Sequence, residues 1–144
     1  MGRRVAMKKL LSILFVLALL TTFSLYMAGT IRAQEAASVE VAVGVICLDV
    51  VDREPVDAGD TFDAAVGNLF CYTKIVGVDT PIEITHVWYF GETERARVIL
   101  PVESSGWRTW STKIIQAHEV GDWHVDVIGP EGEVLETIEF QITS

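Results

Sequence analysis

The stretch Gly121–Ile142, GDWHVDVIGPEGEVLETIEFQI, decides the fold. Trp123, Val125 and Val127 alternate with His124 and Asp126, and beyond Gly129-Pro130-Glu131-Gly132 the residues Ile138, Phe140 and Ile142 alternate with Glu139 and Gln141. A period of two sends successive side chains to opposite faces of a strand. Two such runs joined by a Gly- and Pro-containing turn make an antiparallel hairpin with one face in the core and one in water.

The same pattern runs upstream. Val, Ile and Thr supply 36 of the 111 residues from position 34 onward, against four Leu, a composition that suits a pleated surface. No segment carries a helical stripe. Strands are expected at Val39–Val51, Leu69–Val76, Ile84–Phe90, Arg95–Val102, Trp107–Ile115, Gly121–Ile128 and Val134–Ile142. Between them lie turn signals at Asp57–Asp60, Gly77–Pro81, Gly91-Glu92, Ser104–Gly106 and Gly129–Gly132. About seven short strands in about 100 residues predict an all-β protein, an immunoglobulin-like antiparallel β-sandwich over 41–144.

The first 33 residues differ in kind. Arg3, Arg4, Lys8 and Lys9 precede an apolar core, Leu10–Leu20, and a weaker apolar tail, Phe23–Ile31. This order reads as a signal peptide cut after Ala33. The 22 positions from Leu10 to Ile31 also suffice for a membrane anchor, since a bilayer core is about 30 Å thick. Either way the positive flank stays inside and the body is expected outside the cytoplasm, secreted, periplasmic or held at the inner membrane by residues 10–31. Residues 34–40 read as a short tether. A twin-arginine signal lacks its apolar companion after Arg3-Arg4, and no Cys follows Met27-Ala28-Gly29 to carry a lipid.

All 20 acidic residues lie after residue 34, with six basic ones, so the body carries −14 although the whole chain carries −9. Such a surface repels phosphate backbones and excludes nucleic acid as a partner. It also leaves membrane contact to the N-terminal segment alone. Cys47 and Cys71 are an even pair in an oxidising compartment and are expected to form a disulfide, with two buried thiols as the alternative. Closing their 24-residue separation would add roughly 3 kcal/mol. Neither looks catalytic, because each lies in an apolar run.

His86-Val87-Trp88-Tyr89 and Trp107-Arg108-Thr109-Trp110 concentrate the aromatics. Ile84, Trp88 and Phe90 share one face of their strand; Trp110, Thr112 and Ile114 share one face of theirs, while Trp107 aligns with Thr109, Ser111 and Lys113. Trp88, Trp110 and Trp123 are therefore expected in the core. Trp107 and Arg108, with Tyr89 and His86, are the candidate ligand-binding residues, combining flat rings with a guanidinium fork. His86, His118 and His124 with Glu119 or Asp126 match no compact metal-ligand spacing, and the acids from Asp49 to Asp63 lack the order of a calcium loop. There is no G-x-S-x-G nucleophile turn. No cofactor, metal or catalytic residue is expected.

Asp52-Arg53-Glu54-Pro55, Cys71-Tyr72-Thr73, Thr85–Tyr89, Ala96-Arg97-Val98, Trp107–Ser111 and Gly121–Val125 together resemble the bacterial domain of unknown function 2914 family, over about Val41 to Ile142. The block W-R-T-W-S is the most specific part. The resemblance implies a small extracytoplasmic domain behind a membrane-targeting segment, and brings no activity or ligand. The expected function is a non-catalytic binding or interaction module of the bacterial cell envelope, with a protein partner. The alternatives are a glycan or cell-wall binder using exposed aromatics, and a metal-assisted hydrolase at His86 or His124.

Overall fold

The structure is a computed structural model that describes residues 38–144. The expectations for residues 1–33, and most of the 34–40 tether, lie outside the described residues.

Ten strands follow in order: β1 (Glu40–Cys47), β2 (Asp49–Val51), β3 (Glu54–Val56), β4 (Thr61–Asp63), β5 (Asn68–Val76), β6 (Ile82–Phe90), β7 (Thr93–Val102), β8 (Trp107–Ile114), β9 (Gly121–Ile128) and β10 (Val134–Thr143). They form a three-stranded sheet, β1-β5-β8, a five-stranded sheet, β4-β10-β9-β6-β7, and a separate hairpin, β2-β3. The larger sheets face each other across a core that includes Leu69, Ile75, Trp88, Val102, Trp123 and Phe140. The molecule is the expected all-β sandwich, built on alternation: Ile84, His86 and Trp88 of β6 and Trp123, Val125 and Val127 of β9 all point inward and are buried. The rings of Trp88 and Trp123 both pack on Phe140, at 6.1 and 5.9 Å between centroids.

Three short strands go beyond the seven expected. The predicted strand Val39–Val51 breaks at Leu48, and the chain doubles back as β2-β3. The Val51↔Glu54 register leaves a two-residue loop, and Asp52 and Arg53 both have positive φ, 51° and 63°, as a type I′ turn requires. That turn was hard to see in advance because arginine is an uncommon occupant of the left-handed region. β4 runs parallel to β10, from Gln141↔Thr61 to Thr143↔Asp63, so one pair departs from the antiparallel expectation. Phe62 anchors it, packing edge-on against Phe140 at 6.2 Å.

One glycine is irreplaceable on steric grounds. Gly77 follows β5 with φ of 75°, and a Cβ there would collide with the backbone carbonyl of Ser38. Both the left-handed backbone and the close approach demand glycine.

Candidate functional site

His86 is fully buried between the two sheets and bridges them. Its Nδ1 lies 2.7 Å from Ser111 Oγ and its Nε2 lies 3.1 Å from Thr73 Oγ1. Ser111 Oγ accepts the indole N–H of Trp88 at 3.0 Å, and Thr73 donates its hydroxyl proton to the Thr109 carbonyl at 3.1 Å. These two end points fix the direction of the whole chain. Thr73 has no proton left for the histidine, so Nε2 must carry one and donate it; Nδ1 is then the acceptor for the Ser111 hydroxyl. Indole, serine, neutral imidazole, threonine and backbone carbonyl form one satisfied relay across the core.

This corrects the expectation that His86 meets a ligand. Its parity with Ile84 and Trp88 places it inward, and no open surface reaches it. Burial pushes its pKa down from 6.5 to about 4, because a charged imidazolium would lose its water. The unfolded chain therefore binds this proton more readily than the folded one, and stability falls as pH drops below 6.5. Unfolding followed by denaturant titration should show a loss of about 2 kcal/mol by pH 5 relative to neutral pH, attributable to this group. The His86→Asn variant should lack that component of the slope, as judged by the same titrations.

The Trp107–Trp110 block is also engaged from within. Trp107, Thr109 and Ser111 are the inward set and Trp110 points outward, the reverse of the expected parity. Trp110 is thus half-buried on the outer face of the three-stranded sheet, stacked on Tyr72 at 6.2 Å and 13°. The parity inverts because Ser111 and Thr109, both polar, serve the histidine relay, which hydrophobic patterning could not anticipate. The β2-β3 hairpin covers this outer face. Tyr72 donates to the Arg53 carbonyl at 2.8 Å, the Arg108 guanidinium meets Glu54 at 2.7 Å, and Arg53 Cζ lies 5.9 Å from the centroid of the Trp107 ring. Trp107 and Arg108, expected as an open ligand site, instead hold the hairpin to the sheet.

Cys47 and Cys71 are free, buried thiols, which corrects the expected disulfide. In the β1-β5 ladder Ile46 opposes Cys71 while Cys47 opposes Phe70. Residues directly opposite share a face, so the two sulfurs project from opposite faces of the sheet. Burial pushes both thiol pKa values up, the opposite of a reactive cysteine.

Glu119, weighed in the sequence only as a metal ligand, is a buried carboxylate in the loop after β8. Its Oε1 accepts the Gln116 amide at 3.0 Å, its carbonyl accepts the Trp123 indole N–H at 3.0 Å, and its Oε2 faces Arg95 Nη2 at 2.9 Å. Oε2 has no aligned hydrogen bond, so the arginine compensates it by charge. The Gln116–Glu119 turn thereby carries the neighbouring β9 tryptophan.

What remains open is the outer face of the five-stranded sheet. Tyr89 stacks on His124 at 4.7 Å and 10°, and the ladder continues the row to Glu139 on β10 and Glu94 on β7. Beside it runs an open groove of about 390 Å³ lined by Asp60, Thr61, Asp122, His124, Glu139 and Gln141, with Trp123 and Phe140 at its base. Of the candidate ligand residues only Tyr89 contributes to this face. Among the described residues no three His, Cys, Asp or Glu converge as a metal-binding set.

Fold and site define an all-β sandwich domain in which His86, Ser111, Trp88 and Trp123 are spent on internal structure. Residues 81–142, from just before β6 to near the end of β10, match the model of the family described as protein of unknown function (DUF2914). The Trp107–Ser111 and Gly121–Val125 blocks fall inside the matched span; Asp52–Pro55 and Cys71–Thr73 precede it. No curated protein matches the chain. The family description names no catalytic activity.

Proposed function

We propose that the protein is an extracytoplasmic, non-catalytic interaction module of the bacterial cell envelope, with another protein as its partner. The observation that carries this reading is the division of the chemistry. His86, Ser111, Arg108 and Glu119 are each committed to internal partners, whereas the outer face of the five-stranded sheet keeps a half-exposed aromatic pair and an acidic groove without cationic partners among the described residues. The basic start followed by the apolar run 10–31 supports delivery across the membrane. The glycan reading drew on Trp107, Arg108 and Tyr89; the first two are held by Arg53 and Glu54, which leaves it Tyr89 alone.

A photo-crosslinking residue placed at Glu139 in the full chain, expressed in its native cell, should yield a discrete protein adduct. The same residue at Glu131, on the β9–β10 turn at the far end of the hairpin, should not. A reporter fused to Ser144 that is active only outside the cytoplasm should be active. An inactive reporter, or the absence of any adduct at Glu139, would overturn the proposal.

A further inference from the structure

We infer that the outer face of the five-stranded sheet seats an extended, arginine-bearing segment of the partner protein, lying along the Asp60–Asp122–Glu139 groove beside the Tyr89–His124 pair. This rests on the proposed function and names the chemistry of the partner.

The groove carboxylates are uncommitted. The ion pairs among the described residues are Arg95–Glu119, Arg97–Glu94 and Arg108–Glu54, and none involves Asp60, Asp122 or Glu139. Among the described residues the Asp122 carboxylate accepts only the neutral Gln141 side-chain amide, at 2.9 Å, and the Asp60 carboxylate only the Thr61 hydroxyl, at 3.3 Å. Three like charges thus line one channel of about 390 Å³ on a body that carries −14. The three carboxylates are exposed to solvent, and their charge favours a cationic occupant over a neutral or anionic one. The acids do not converge on a single point with the histidine, so a small cation would be poorly ligated, whereas an extended chain can place successive charges along the channel.

The aromatic pair selects the kind of cation. Tyr89 lies opposite His124 in the β6-β9 ladder and His124 lies opposite Glu139 in the β9-β10 ladder. Neighbouring strands are about 4.8 Å apart, so ring faces and a carboxylate are offered within the span of one side chain. A guanidinium is planar and weakly hydrated; it lies on an aromatic face while its fork grips a carboxylate. A lysine ammonium offers the charge without the fork. A neutral glycan could use the rings but gains nothing from three unpaired carboxylates.

The test uses the purified full chain and a synthetic nonapeptide of alternating arginine and glycine, measured by calorimetry at about 0.15 M salt, where distant charges are screened. Binding should weaken about fivefold in Asp122→Asn and in Glu139→Gln, the size of one partly screened charge pair. Tyr89→Leu should weaken it by about as much, and the lysine-glycine peptide should bind about fivefold less well. Glu131→Gln, the same charge change on the remote β9–β10 turn, should bind like the parent. Circular dichroism establishes that each variant is folded. The inference is overturned if no peptide binds, if Glu131→Gln loses as much as the groove variants, or if a soluble neutral cell-wall glycan displaces the peptide. A protein adduct from Glu139 with no groove-dependent peptide binding sinks this inference and leaves the proposed function standing; selective peptide binding with no adduct in cells overturns both, since no partner protein then lies on the face.

Discussion

Ser111→Ala should lower the unfolding free energy by about 4 kcal/mol, the combined cost of two buried groups left without partners. The serine hydroxyl takes the Trp88 indole N–H at 3.0 Å and gives its proton to His86 Nδ1 at 2.7 Å. Alanine removes both bonds and admits no substitute, since both rings are fully buried. Stabilities of small domains lie at about 5–15 kcal/mol, so the loss is a large share of the total. The neighbouring Thr112 faces solvent, and Thr112→Ala should stay within about 0.5 kcal/mol of the parent. Chemical denaturation of the two variants, with tryptophan fluorescence as the probe, measures the difference. If Ser111→Ala were as stable as Thr112→Ala, the relay would not hold the sheets together.

Arg95→Ala should cost about 3 kcal/mol, because it strands a buried carboxylate whose compensating charge is gone. Glu119 is fully buried and Arg95 sits at 2.9 Å from its Oε2. The cost is not that of an exposed pair, which would be worth at most about 1 kcal/mol. Adding Glu119→Gln to Arg95→Ala removes the stranded charge while keeping an acceptor for the Gln116 amide. The double variant should therefore recover most of the loss, to within about 1 kcal/mol of the parent. A double variant less stable than Arg95→Ala would place the cost elsewhere, in the packing of the arginine stem. Near-ultraviolet circular dichroism should change along with stability, since the Trp123 indole hangs on the Glu119 carbonyl at 3.0 Å.

These two sites show where the sequence was readable. Alternation in β9 and β10 correctly separates the buried Trp123, Val125 and Phe140 from His124 and Glu139, because hydrophobic burial is what period two records. It fails in β8, where the inward positions Thr109 and Ser111 are polar and the outward Trp110 is apolar. A polar relay in the core inverts the signal. The information that could have found it was the parity of His86 with Ile84 and Trp88, which places an imidazole inward and so requires hydrogen-bonding partners from the facing sheet. The Asp52-Arg53 turn stayed hidden for a different reason: its positive φ values are supported by the Tyr72 hydroxyl and the sheet beneath it, a tertiary contact no local pattern reveals. Glu119 belongs to the same group, since its arginine lies on a strand 24 positions earlier in the chain. The open face was legible only in part. Tyr89 was singled out, but its stacking on His124 and the gathering of Asp60, Asp122 and Glu139 depend on strand order, with β4 added at the edge of β10.

The correction of Trp107 and Arg108 also changes how variants at the W-R-T-W-S block should be interpreted. Arg108 meets Glu54 at 2.7 Å across to the β2-β3 hairpin, so a loss of binding there would report on the seating of the hairpin as much as on a ligand. The acidic face is free of that ambiguity, because Glu139 and Asp122 hold no ion pair within the described residues.

The central claim is that the inner chemistry of the sandwich is structural and its open acidic face is the binding surface. Nuclear magnetic resonance maps this most directly, by following backbone amide and histidine ring signals of the full chain as the arginine-glycine peptide is added. Shifts should cluster at Asp60, Tyr89, Asp122, His124 and Glu139, with His86 and the Trp107–Ser111 block unmoved. Shifts centred on Trp107 and Arg108, or spread evenly over all the acidic residues, would contradict it.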